Sequence, residues 1–133
     1  MRLKDKVAII TGGARGIGKA ISELFAQEGA TVFIWDLLES GEETAAGIRK
    51  NGGKATFTKI SVTDKEAVEA EAKRIFDENG RLDILANNAG IVKDRTLTKM
   101  SMDEWNAVIN VNLTGVFLCT KACVPYMLSL IHI

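Results

Sequence analysis

Four glycines fall within seven residues near the N-terminus, in Gly12-Gly13-Ala14-Arg15-Gly16-Ile17-Gly18, between an apolar run of strand length and a segment of helical periodicity. A phosphate can approach backbone closely only where no Cβ intervenes, and the free amides at a helix N-terminus hold an anion. Gly18, inside the first helical turn, would let the helix pack close against the strand. The spacing is G-x-x-x-G-x-G rather than the commoner G-x-G-x-x-G. Asp36 ends the next strand, eighteen residues beyond Gly18, where an acid accepts hydrogen bonds from ribose hydroxyls. These residues together suit a dinucleotide. Asp36 favours NAD, because a 2′-phosphate would meet a like charge. Arg15 argues for NADP, since a guanidinium beside the turn pairs with that phosphate. NAD is the expected cofactor, with NADP as the alternative.

Two further polar features stand where chemistry is expected. Asn87-Asn88-Ala89-Gly90 follows a short apolar run, and amides at the carboxyl end of a parallel strand can tie strand ends together and contact a ribose. Asn112 interrupts an apolar helical stripe formed by Trp105, Ile109, Val116, Cys119 and Cys123. An amide there must find partners, since leaving one unsatisfied costs about 1–3 kcal/mol.

The elements that must position these residues alternate. Strand runs are expected at residues 6–11, 31–36, 54–60 and 82–86. Helical faces follow from Gly16 (Ile17, Ala20, Ile21, Leu24, Phe25), over residues 40–50, and behind Thr63 (Val68, Ala72, Ile75, Phe76). Thr63 with Glu66 and Ser101 with Glu104 read as capping boxes, the second opening a long helix that runs toward Pro125. Strands that alternate with helices need crossover connections, so the sheet should be parallel with helices on both faces. Seventeen basic residues balance seventeen acidic ones, so no net field draws nucleic acid or an anionic membrane. The N-terminal apolar run is too short for a signal peptide or a membrane span. Cys119 and Cys123 read as small buried residues of a reducing cytoplasm, and no metal site is expected. The expectation is a cytoplasmic α/β domain.

At this point the sequence resembles the classical short-chain dehydrogenases/reductases. Thr11-Gly12-x-x-x-Gly16-Ile17-Gly18 is similar to their cofactor turn, Asn87-Asn88-Ala89-Gly90 to their N-N-A-G, and Asn112 in Val111-Asn112-Leu113-Thr114-Gly115 to their helix-borne active-site asparagine. The resemblance covers essentially residues 3–127. Within the family, Gly90 to Arg95 and Asp103-Glu104-Trp105 look most like 3-oxoacyl-(acyl carrier protein) reductases, a stretch shared with sugar and alcohol dehydrogenases. It implies a Rossmann-type doubly wound parallel sheet ordered 3-2-1-4-5-6-7, with this chain ending after about four strands and four helices. It implies hydride transfer between a nicotinamide and a carbonyl or alcohol carbon of a small-molecule or acyl-thioester substrate, and a homotetramer for the full-length protein. By the resemblance Gly12, Arg15, Gly16, Ile17, Gly18, Asp36, Val62, Asn88, Ala89 and Gly90 hold the cofactor, and Asn112 holds a water of the proton relay.

The sequence departs from the family in three places. Ser61 stands before Val62 where relatives usually carry Asp or Asn; its hydroxyl offers an acceptor instead. The serine and Tyr-x-x-x-Lys of the family's proton chemistry have no counterpart, and Tyr126, the only tyrosine, has Leu130 four residues on. Residues 128–133, Leu-Ser-Leu-Ile-His-Ile, can be encoded by a transposon-end adapter used for sequencing libraries, so they are expected to be a non-native tail on a domain of residues 1–127. Without further strands the fourth strand would be an exposed edge, and the chain is expected to be poorly soluble or partly disordered. The alternative to an enzyme is a nucleotide-sensing protein that keeps the cofactor turn without the proton relay.

Overall fold

The computed structural model describes residues 1–128, so most of the expected tail, His132 included, lies outside the described residues. Four strands, β1 (Val7–Thr11), β2 (Thr31–Asp36), β3 (Lys54–Lys59) and β4 (Ile84–Ala86), form one parallel sheet ordered β3-β2-β1-β4. The helices between them are α1 (Gly16–Gln27), α2 (Ser40–Lys50) and α3 (Lys65–Asn79); α4 (Met102–Ile109) and α5 (Gly115–Leu128) follow β4. β4 starts two residues later than the apolar run suggested, and β1 and β3 are each one residue shorter.

β1 is buried at every position, as a strand covered on both faces must be. Alternation then splits its side chains between two cores. Ala8 and Ile10 join Val32 and Ile34 of β2 under Ala26 of α1 and Ile48 of α2. Val7 and Ile9 join Phe33 and Trp35 under Val68, Ala72 and Ile75 of α3 and Cys119 and Cys123 of α5. β3 is an edge strand, and Lys54 and Lys59 expose charge at its ends. Burial pushes the Cys119 thiol up to about 11 and, with Cys119 beside it, that of Cys123 to about 12, so both pack as small apolar groups.

Two local expectations are corrected. Thr63 does not cap α3. Asp64 does, its Oδ1 accepting from Ala67 N at 3.1 Å, while the Thr63 hydroxyl pairs with Ser61 Oγ at 2.7 Å. The carboxylate sits one residue nearer the helix and complements its dipole as well as its orphan amide. Ser101 and Glu104 do form the expected capping box. The long helix is not one α-helix. A π turn, Asn110–Thr114, separates α4 from α5, with Gly115 N–H donating to Asn110 O. The extra residue breaks the apolar stripe: Trp105 is 51% exposed, Asn112 is exposed, and the buried face is Gly115, Cys119, Ala122 and Cys123. By length and composition residues 102–128 could also cross a membrane; here that buried face packs on the second core.

At the amino end of the sheet Asp83 joins β4 to β1. Its Oδ2 accepts from Val7 N at 2.9 Å and from Arg81 Nε at 2.8 Å, and Oδ1 accepts from Arg81 at 2.7 Å. Burial opposes ionisation, but the guanidinium and the Val7 amide outweigh it and hold the carboxyl below its usual value. A depressed pKa stabilises the fold above the ordinary carboxylate range, and that contribution is lost as pH falls through the group's own lower value. Asp83→Asn is therefore expected to lose about 1–3 kcal/mol at pH 7 in urea unfolding, with the gap from the native chain closing as pH drops below about 4.

Candidate functional site

The strand order reverses direction beside β1, whose neighbours are β2 on one side and β4 on the other. In an open parallel sheet the crevice at the carboxyl ends of such strands is where ligands sit. A cleft of about 450 Å³ opens there, and every residue the sequence nominated for a cofactor except Gly18 lines it. Gly18 and Asn112 do not line it. The volume is that of an ordinary small-molecule site.

One wall is the turn from β1 to α1. Gly12 (φ +67°) and Gly16 (φ +57°) lie in the left-handed region, and a Cβ at Gly16 would touch nothing within 4 Å. Gly18 lies behind the wall. A Cβ there would stand 2.0 Å from Gly12 O and 2.5 Å from Asn88 Nδ2. Arg15, the N-cap of α1, makes no side-chain cap, and among the described residues no side chain occupies the first-turn amides.

The second wall follows β4. Asn88 Nδ2 donates to Gly12 O at 3.1 Å, which ties this loop to the glycine turn. Asn87 Nδ2 reaches Thr120 Oγ1 of α5 at 3.1 Å. Between the walls lies a residue whose importance was missed. The buried Thr11 hydroxyl donates to Ala86 O at 3.3 Å and accepts from Asn88 N and Ala89 N, both at 3.0 Å. A hydroxyl has one donor and two acceptor sites, and all three are used. The only hint in the sequence is a β-branched hydroxyl closing an otherwise apolar strand.

Asp36 closes the end of β2. Its Oδ2 accepts from Ala14 N and its Oδ1 from Leu38 N, each at 3.0 Å. The carboxylate thus holds the glycine turn in place, a role not read from the sequence, and each oxygen keeps a further lone pair. Arg15 stands exposed on the same cleft. On the floor, Val62 is buried against Gly115, where an added Cβ would come 2.6 Å from Val62 Cγ2. Ser61 also lines the cleft, its hydroxyl accepting from Thr63 N at 3.2 Å.

Asn112 lies beyond the cleft and finds its partners in backbone. Ile91 N donates to Asn112 Oδ1 at 2.8 Å, and Asn112 Nδ2 donates to Ile91 O at 2.9 Å. This pair of bonds clips the loop after β4 to the π turn. Tyr126 stacks on Phe76 with ring centroids 4.9 Å apart, within the packing of α3 on α5.

The sequence profile described as "short chain dehydrogenase" matches residues 6–131. Among curated proteins, the 3-oxoacyl-[acyl-carrier-protein] reductase FabG of Thermotoga maritima is 46% identical over 133 residues, 97% of this chain and 53% of its own length. An uncharacterized oxidoreductase of Bacillus subtilis, YxbG, is 45% identical over 96% of this chain and 48% of its own. Of solved structures, carveol dehydrogenase from Mycobacterium avium in complex with NAD superposes with a TM-score of 0.89 at 34% identity, over 96% of this chain and 51% of that one. A short chain dehydrogenase from Burkholderia cenocepacia in complex with NADP also gives 0.89, at 36% identity over 96% and 53%. The chain spans about half the length of the curated relatives it matches. By its sheet order, its cleft and these matches, the chain belongs to the short chain dehydrogenase family.

Proposed function

We propose that this chain forms the dinucleotide-binding part of an NAD(P)-dependent oxidoreductase that interconverts a carbonyl and an alcohol, with a 3-oxoacyl thioester as substrate. The observation that carries the reading is the convergence of the glycine turn, Asp36 and Asn88 on one cleft at the switch point of the sheet. The residues fit such a group. The open side of Gly16 leaves room for a phosphate, and the uncapped start of α1 offers amides to it. The free lone pairs of Asp36 accept from the ribose hydroxyls, which favours NAD, while Val62 and Ile91 present apolar surface to the base. When bound, the nicotinamide supplies the hydride chemistry. Asn112, the candidate for the proton relay, holds the loop after β4 through Ile91, so its amide acts by fixing that loop. The thioester rests on the resemblance at residues 90–95 and 103–105 and on the relatives named above.

Fluorescence titration with NADH and NADPH tests the reading. Saturable binding is expected, tighter for NADH by about tenfold, the effect of roughly one charge-assisted hydrogen bond. Asp36→Ala is expected to weaken NADH by at least as much and to shrink the preference. Binding of neither nucleotide would overturn the reading, and a preference for NADPH would overturn the role given to Asp36.

A further inference from the structure

Thr44 sits within α2, in the buried stripe Gly41, Thr44, Ala45, Ile48 that faces the sheet. A mid-helix threonine commonly returns its hydroxyl to the carbonyl four residues back. Here it reaches out of the helix instead, and Oγ1 donates to Ala14 O at 2.8 Å. Thr44 is 7% exposed and Ala14 3% exposed, so both partners are largely shielded from solvent. The N–H of Ala14 is bonded at the same time by the Asp36 carboxylate at 3.0 Å. Both peptide planes that flank Ala14 are thus fixed by side chains from outside the turn. The Ala14–Arg15 peptide is trans, like every peptide bond described. Its N–H lies opposite its C=O, so with the carbonyl held toward α2 the Arg15 amide points away from α2.

We infer that Thr44 is a positioning residue for the pyrophosphate, acting through the Ala14–Arg15 peptide. The inference rests on the dinucleotide reading above and goes beyond it. The anion is held by backbone amides whose directions the turn cannot fix alone, because two of its residues are glycines in a left-handed conformation. The second βα unit fixes them instead: Asp36 holds one face of Ala14 and Thr44 the other. Thr44 itself does not touch the anion, since it does not line the cleft.

The test is to titrate the full 133-residue chain and its Thr44→Val and Thr44→Ser variants with NADH, ADP-ribose and adenosine, checking each by urea unfolding. Thr44→Val is expected to weaken NADH and ADP-ribose by roughly tenfold or more, the equivalent of one well-aligned bond to the anion, and to leave adenosine within about twofold. Thr44→Ser, which keeps the hydroxyl, is expected to restore the native affinities to within about threefold. Unchanged NADH binding by Thr44→Val overturns the inference, and so does an equal loss for adenosine, which marks a general packing role. If valine unfolds the chain, Thr44→Ala removes the hydroxyl without a misplaced methyl and carries the same titrations. Failure of the native chain to bind any of the three is a different result, and it is the dinucleotide reading that falls.

Discussion

Replacing Gly18 with alanine is expected to destabilise the chain by about 3 kcal/mol or more and to abolish saturable NADH binding. The added Cβ would stand 2.0 Å from Gly12 O and 2.5 Å from Asn88 Nδ2. Neither is the loose end of a flexible side chain. The carbonyl belongs to the turn that lines the cleft, and the amide holds that same carbonyl at 3.1 Å. Relief requires α1 to withdraw from β1, or Asn88 to release Gly12, and either movement takes one wall of the cleft from the other. Gly16→Ala is the control. Its Cβ would touch nothing within 4 Å, and its cost comes from φ +57° alone, about 1–2 kcal/mol. Urea unfolding of the two variants separates the effects. Gly18→Ala with the native midpoint and native NADH affinity would mean that the turn and the helix part without consequence, and that the close approach at Gly18 does not shape the cleft.

The contrast between Gly18 and Thr44 marks what could be read without coordinates. Gly18 was legible because its demand is local: a helix that starts straight after a phosphate-sized turn needs a small residue in its first turn. The strands were legible because β1 and β2 are continuous apolar runs, and a strand buried on both faces has no other way to be written. Thr44, Thr11 and the second role of Asp36 were not, since each acts across a wide stretch of chain, from Thr44 to Ala14, Thr11 to Asn88, and Asp36 to Ala14. A hydroxyl inside a helix carries no sign of which distant carbonyl it will meet. The π turn was hidden for a different reason. Helical periodicity read through residues 102–125 assumes one unbroken register, and one extra residue near Asn112 turns Trp105 out to solvent. Asn112 was marked as needing partners because it stood in an apolar stripe; the π turn breaks that stripe and leaves Asn112 exposed, yet it is paired. The partners are the two backbone groups of Ile91, on a loop whose path no spacing rule supplies. At Thr63 and Asp64 two capping residues stood side by side, and the capping-box pattern chose the one that a carboxylate nearer the helix displaces.

Thr11→Val is expected to cost about 1–3 kcal/mol and to weaken NADH at least tenfold, while Thr11→Ser stays within about 1 kcal/mol of the native chain. Valine keeps the shape and the β-branching that suit a central strand, so what the pair of variants reads is the hydroxyl. Without it Ala89 N loses its acceptor, now at 3.0 Å from Oγ1, Asn88 N keeps only its bond to Ala86 O at 3.0 Å, and Ala86 O loses a donor. A stranded donor costs about 1–3 kcal/mol where water cannot replace the partner, against a total stability of about 5–15 kcal/mol for a domain. The site is affected through the same atoms. Asn88 and Ala89 line the cleft, and the Asn88 amide anchors the glycine turn, so a loop that swings out to hydrate its amides opens both walls together. Serine loses only the methyl and can rebuild all three bonds. Urea midpoints and NADH titrations on the three chains settle the point. If serine falls while valine keeps the native midpoint and affinity, it is the methyl packing of Thr11 that holds β4 to β1, and the cleft owes its shape to the sheet alone.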